Sequence, residues 1–141
     1  MSTIPPQFFA NRVTGGLAVV ATVIRIIVGL GFIAAGAMKF VDLDLATQGM
    51  AAAGYPNTPV IAILLGLSEL GSGLLLTIGL ATRLAAGWLV IVMIGATIAN
   101  FMTMPPAAPI TIVLLILNAF LLWAGPGKAA MDNKLAARQA V

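Results

Sequence analysis

Glu69 is the residue whose position most invites chemistry. It lies near the middle of a long apolar block, in the run Leu67-Ser68-Glu69-Leu70-Gly71-Ser72-Gly73. A carboxylate deep in hydrocarbon is costly unless it is paired, neutralised or hydrated, so Glu69 should face protein rather than lipid. Arg25, inside the preceding apolar block, is its natural partner. Counting helix rise, Arg25 lies about 12 Å inside one membrane face and Glu69 about 15 Å inside the other. In a hydrocarbon core roughly 30 Å thick these depths nearly coincide, and an arginine side chain spans the difference. Two roles stay open for the pair. It could bind a polar headgroup such as a quinone ring or relay a proton, or it could be a buried ion pair that only fixes helix pairing.

Asn118, in Leu117-Asn118-Ala119, is a second polar residue deep in an apolar block, and interhelical hydrogen bonding is its expected use. Asn100 falls near the end of the third block, at the mouth of a site or at the interface. Lys39, Arg83, Lys128 and Asp132 stand at block ends and in the tail, as interface or terminus candidates. No catalytic residue and no metal ligand set is assigned. The chain has no Cys and no His, so it cannot form a disulfide, ligate an iron–sulfur cluster by thiolate or supply a His ligand to haem.

The elements that must position these residues follow from the distribution of apolar side chains. Hydrophobic residues make up 61% of the 141, and charged residues 8%. Soluble domains are about a quarter charged, so this chain cannot coat a water-facing surface. Its apolar residues run in four blocks, at about 17–38, 60–80, 84–102 and 107–124. Most approach the roughly 20 residues that cross a bilayer as helix. The expected fold is all-α, a transmembrane four-helix bundle in one integral membrane domain. A short interfacial helix is expected at 43–53, and a polar tail at 125–141. Gly79 can close the second span and Thr82 can cap the third. Pro105 and Pro106 break the chain before the fourth, and Pro109 falls in its first turn, where proline is tolerated. Trp88 and Trp123 read as interface aromatics. The glycines Gly29, Gly31, Gly36, Gly66, Gly71, Gly73, Gly79 and Gly87 signal close helix contact with partners unspecified.

Four spans put both termini on one side. That side carries Arg12, Arg83, Lys128, Lys134 and Arg138, and the other only Lys39, beside Asp42 and Asp44. The excess of Lys and Arg places both termini in the cytoplasm. Met1–Gly16 does not read as a signal peptide, so the first block is expected to be a retained anchor. The net charge of +3 shows no basic run or aromatic interleaving, and nucleic acid is not an expected partner.

Several landmarks occur in a fixed order: Arg25 to Lys39 with its glycines, Gly54-Tyr-Pro56, Glu69, Gly79-Leu-Ala-Thr-Arg83, and Gly125-Pro-Gly-Lys128 with Asp132. Over roughly residues 20 to 133 this set resembles the DoxX family of small bacterial membrane proteins. Lys128 stands where Arg is usual in the family, and Asp132 one place further from the Gly-Pro-Gly than in many members. The resemblance implies a multi-pass protein of the bacterial inner membrane. Some relatives are subunits of a thiosulfate:quinone oxidoreductase, and others are linked to oxidative-stress or thiol-redox membrane complexes. The leading expectation is an auxiliary or anchoring subunit of a larger redox-linked membrane complex, more an accessory than a catalyst on its own. Its partners would be lipid and other membrane subunits, and a quinone or lipid site could lie in the bundle. The alternatives are a quinone-reactive oxidoreductase subunit and a small solute transporter. No covalent or metal cofactor is expected. Fusing a reporter that works only in the cytoplasm to each terminus should give activity at both ends, and activity of an exported reporter at the C-terminus would reverse the orientation.

Overall fold

A computed structural model describes residue 5 and residues 9–139. Most of the first eight residues, part of the stretch behind the expectation of a retained N-terminus, lie outside the described residues. Among the described residues six α-helices form: α1 (Gly15–Val41), α2 (Leu43–Ala52), α3 (Pro59–Ile78), α4 (Thr82–Thr103), α5 (Ala108–Ala124) and α6 (Met131–Gln139). A 3-10 turn, Pro105–Ala107, precedes α5. Four segments are long and apolar enough to cross a membrane: α1, α3, α4, and the 3-10 turn continued into α5. The expected interfacial helix is α2. The polar tail is only partly irregular, because α6 forms within it.

Local chemistry sets most boundaries. Asp42 begins α2, its carboxylate accepting from the Leu45 N–H at 2.9 Å. Thr58 caps α3 with Pro59 in its first turn, where a missing N–H costs nothing. Gly79 ends α3 with φ +71°, a left-handed conformation that glycine enters without a Cβ penalty. The start of α4 departs from expectation. Thr82 is already helical, the N-cap is Ala81 in a left-handed conformation (φ +48°), and no local side chain caps the helix. The cap comes from Asp132, fifty residues away. Its carboxylate accepts from the N–H of Ala81 at 2.7 Å and of Thr82 at 2.9 Å, and its own N–H donates to the Gly79 carbonyl.

The spans pack in the cyclic order α1–α3–α4–α5, with α1 against α3 and α4 against α5 the most extensive contacts. The α1–α3 contact is antiparallel and brings backbone onto backbone. A Cβ on Gly29 would lie 2.8 Å from the Gly73 carbonyl oxygen, and one on Gly73 would lie 2.7 Å from that of Gly29. A Cβ on Gly36 would lie 2.7 Å from the Gly66 oxygen. Such spacing admits no side chain, and small residues are what let membrane helices approach this closely.

The large apolar core fills the half of the bundle nearer the termini, hereafter the terminal half. It consists of Val28 and Phe32 (α1), Leu76 (α3), Ala85, Ala86, Leu89 and Met93 (α4), and Leu121 (α5). The first turns of α1 pack with Val13 and Ala124. The outward surface is apolar throughout, as a lipid-facing surface requires: Ile27, Leu64, Ile91 and Ile116 are each more than half exposed.

The glycine contacts make a discriminating prediction. Gly36→Ala should force α1 and α3 apart and cost about 1–3 kcal/mol, the usual range for overpacking. Gly31→Ala should be neutral or better, since nothing lies within 4 Å of a Cβ there. Thermal unfolding of both variants in one detergent checks this, and equal midpoints would refute the close-contact register.

Candidate functional site

The charged and polar residues separate into two groups along the bundle axis. In the half nearer α2, Lys39 of α1 meets Glu69 of α3, Nζ to Oε2 at 2.5 Å. The Glu69 side chain is 6% exposed and the Lys39 side chain 16%. Lys39 also lies 3.4 Å from the Ala35 carbonyl oxygen, one turn back on its own helix.

Arg25 is therefore not the partner of Glu69. Its guanidinium donates to the carbonyl oxygens of Leu76 and Thr77 at the end of α3, and to that of Ala129 before α6, at 2.5, 3.0 and 2.5 Å. Depth counted separately from each helix end misplaced it, because α1 overshoots α3. The glycine register sets Gly29 beside Thr77, so Arg25 comes level with the last turn of α3. Glu69 lies eight residues further along α3, about 12 Å by helix rise. The overshooting turns of α1 are covered by the tail: the Lys128 N–H donates to Thr22 Oγ1, and Gly127 packs against Ala18 and Thr22.

The other candidates also fall into place. Arg83 is buried at the terminal end and donates to the carbonyls of Ala10 and Trp123. Asp132 is fully buried and serves as the α4 cap. The Lys128 side chain is exposed. Asn118 is fully buried, but its amide donates to Leu114 in its own helix instead of across the bundle, and its Oδ1 has no partner among the described residues. A back-bond to the preceding turn needs no second helix, so the residue satisfies its donor locally. The amide of Asn100 points to the Ala107 carbonyl at 3.5 Å, across the α4–α5 break.

Lys39 and Glu69 face a cavity of about 380 Å³ at the centre of the α2 half. Its walls come from all four spans, with Phe32, Leu65, Met93 and Leu114 among them, and Met50 of α2 and Ala53 just after it lie across its end. Apart from the ion pair, its polar side chains are Tyr55, Asn100 and Thr111. Tyr55 reaches down from the α2–α3 connector. A Cβ on Gly95 would lie 3.4 Å from its hydroxyl. That hydroxyl makes no hydrogen bond among the described residues. The glycine at position 95 opposite an aromatic in the connector is the only sequence trace of this arrangement. For Lys39 the trace was clearer: it stands two heptads beyond Arg25, on the same helix face.

Chemically this is an apolar chamber with a small set of convergent donors and acceptors, the usual composition of a small-molecule site. An ammonium held by one carboxylate retains N–H groups to donate, and a phenol can donate or accept.

Four apolar spans, with their polar groups turned inward and toward the bundle ends, define a polytopic helical membrane protein. The DoxX family model matches residues 20–103, and the chain belongs to the DoxX family. It is 34% identical over 131 residues to Rv3486 of Mycobacterium tuberculosis, described as an uncharacterized membrane protein, in an alignment covering 82% of this chain and 80% of that protein. No solved structure matches the chain.

The pair can be tested apart from any ligand. Removing one member leaves the other charge unmatched, so Glu69→Leu and Lys39→Met should each cost about 3–5 kcal/mol. The double variant should recover most of that loss. Denaturation of all three in the same detergent gives the coupling, and additive losses would show that the two side chains do not interact.

Proposed function

We propose that this protein is a membrane subunit of a larger redox-linked assembly in the bacterial inner membrane, and that its cavity holds the ring of a quinone. The observation that carries the reading is the Lys39–Glu69 pair facing a largely apolar chamber within the spans. An ion pair needed only to join α1 and α3 could be replaced by apolar packing at little cost. One that borders a chamber of about 380 Å³ has a second use available.

The residues present suit the group. Lys39 and the Tyr55 hydroxyl supply donors to carbonyl oxygens, Asn100 adds an amide, and Phe32, Met93 and Leu114 supply apolar walls. Ile91 and Ala35 border the chamber and are also exposed on the outer surface, which supports entry from the lipid for a molecule with a long tail. A bound quinone would supply two-electron, two-proton chemistry. Lys39 and Glu69 would orient its ring and hold a proton at the Glu69–Lys39 contact. With no Cys or His in the chain, electrons would come from a partner subunit, and the redox setting itself is drawn from the family resemblance.

Purification from native membranes in mild detergent, followed by solvent extraction, measures quinone per chain. The wild-type protein should carry close to one equivalent. Gly95→Leu, which fills the wall opposite Tyr55, should lower that at least tenfold, the effect of about 1.4 kcal/mol. Quinone at the background level of an unrelated four-span protein from the same membrane would overturn the proposal.

A further inference from the structure

The end of the bundle that carries the termini has an electrostatic imbalance unrelated to the cavity. Of the four acidic residues in the chain, Asp42, Asp44 and Glu69 belong to the α2 half. The fourth, Asp132, is fully buried under α4 as its cap. The exposed charged side chains of the terminal end are therefore Arg12, Lys128, Lys134 and Arg138, with no carboxylate side chain among them.

Lys128 and Lys134 border one groove of about 510 Å³, between the end of α3 at Ile78 and the start of α6 at Met131. The other polar groups of that groove are already engaged. The Ala129 carbonyl accepts from Arg25, and the Asn133 amide donates to the carbonyls of Gly127 and Lys128. Neither lysine ammonium makes a hydrogen bond or ion pair among the described residues. The groove thus offers two unmatched cations at the level where α3 ends, beside the apolar side chains of Ile78 and Met131.

A second groove, of about 390 Å³, runs along the same lipid-facing side of α3, lined by Leu67, Gly71 and Leu74 with Ile33 and Leu70. Leu67, Gly71, Leu74 and Ile78 recur at helical spacing, which places both grooves on one stripe. Gly71 forms its floor, and nothing lies within 4 Å of a Cβ there. From Ile78 to Leu67 the stripe is about 16 Å long by helix rise, close to half the thickness of a hydrocarbon core of about 30 Å.

We infer that this stripe is a binding site for one anionic phospholipid, with its phosphate between Lys128 and Lys134 and one acyl chain in the groove over Gly71. Charge complementarity selects the headgroup, since basic pockets at the ends of membrane helices attract anionic lipid. The length and apolar lining of the continuing groove select a lipid over a free anion. The site is separate from the quinone chamber, which opens in the other half of the bundle, so either can fail without the other.

Native mass spectrometry of the whole chain, exchanged into detergent with equal amounts of phosphatidylglycerol and phosphatidylcholine, provides the test. The wild-type chain should retain one phosphatidylglycerol in preference to phosphatidylcholine. Lys128→Gln with Lys134→Gln should lower that preference roughly tenfold, and the two Lys→Arg changes should restore it. Gly71→Leu should reduce retention of phosphatidylglycerol, whereas Gly31→Leu, at another open glycine, should not. All altered side chains are exposed, and helicity by circular dichroism verifies that each variant folds. Three results would each overturn the site: a preference unchanged by the Lys→Gln pair, an equal loss from Arg12→Gln with Arg138→Gln, or full retention in Gly71→Leu. Displacement of the lipid by inorganic phosphate alone would likewise rule out the acyl groove.

Discussion

Between α1 and α3 the backbones approach so closely at Gly29 and Gly73, and again at Gly36 and Gly66, that a methyl group would strike a carbonyl oxygen. In lipid there is no hydrophobic gain from bringing two apolar helices together, so association depends on packing and on polar contacts. Glycine supplies the packing by removing side chains from the seam. The two glycine pairs also set the register, because sliding one helix by a single residue would drive side chains into that seam. From this register the rest follows: Lys39 falls beside Glu69, and Arg25 falls beside the last carbonyls of α3. The ion pair does not assemble the helices so much as occupy the position the glycines leave for it.

The same constraint divides the bundle into two unlike halves. Because α1 overshoots α3, its first turns need another cover, and the tail supplies it. Gly127 and Lys128 dock on Thr22, Asn11 bonds to Gly127, and Asp132 reaches the open end of α4. The terminal half is thus tied by hydrogen bonds and filled by Leu76, Leu89 and Leu121, each fully buried. In the other half the spans are joined by α2, which has no buried residue, and by a proline-broken connector. The space left there is the chamber. A well-packed end and a hollow end within one bundle is the arrangement expected when one half maintains the fold and the other receives a ligand.

The four spans were legible in the sequence because lipid leaves helices as the only economical solution for these apolar blocks. The proline break and the glycine stop at position 79 were legible because each acts through its own backbone. What sequence could not supply were the partners. The depth of Arg25 was counted from the end of its own helix, whereas its bonding depends on where a different helix ends. Thr82 looked like the cap of α4, yet the cap is a carboxylate fifty residues on, and no local pattern encodes that distance. Asn118 was expected to bond across the bundle and instead bonds within α5. Tyr55 was unremarkable until the connector folded it against Gly95. The chamber itself belongs to no segment, since each span contributes only one side of it.

The placement of Lys39 bears on why a charged pair persists in a membrane at all. A buried pair recovers its desolvation cost only when its geometry is good and its remaining hydrogen-bonding capacity is used. The carboxylate of Glu69 accepts from Lys39 through one oxygen, and Lys39 has only the weak contact to Ala35 besides. Arg25, by contrast, is spread over three carbonyls with only its Nε unpartnered among the described residues, and Asp132 over two N–H groups. Arg25 and Arg83 each keep an unpartnered Nε away from the chamber, whereas the Lys39–Glu69 pair is the charged group that faces it. Donors and acceptors at a chamber wall are what a bound molecule would contact, so the proposed ligand belongs in the α2 half.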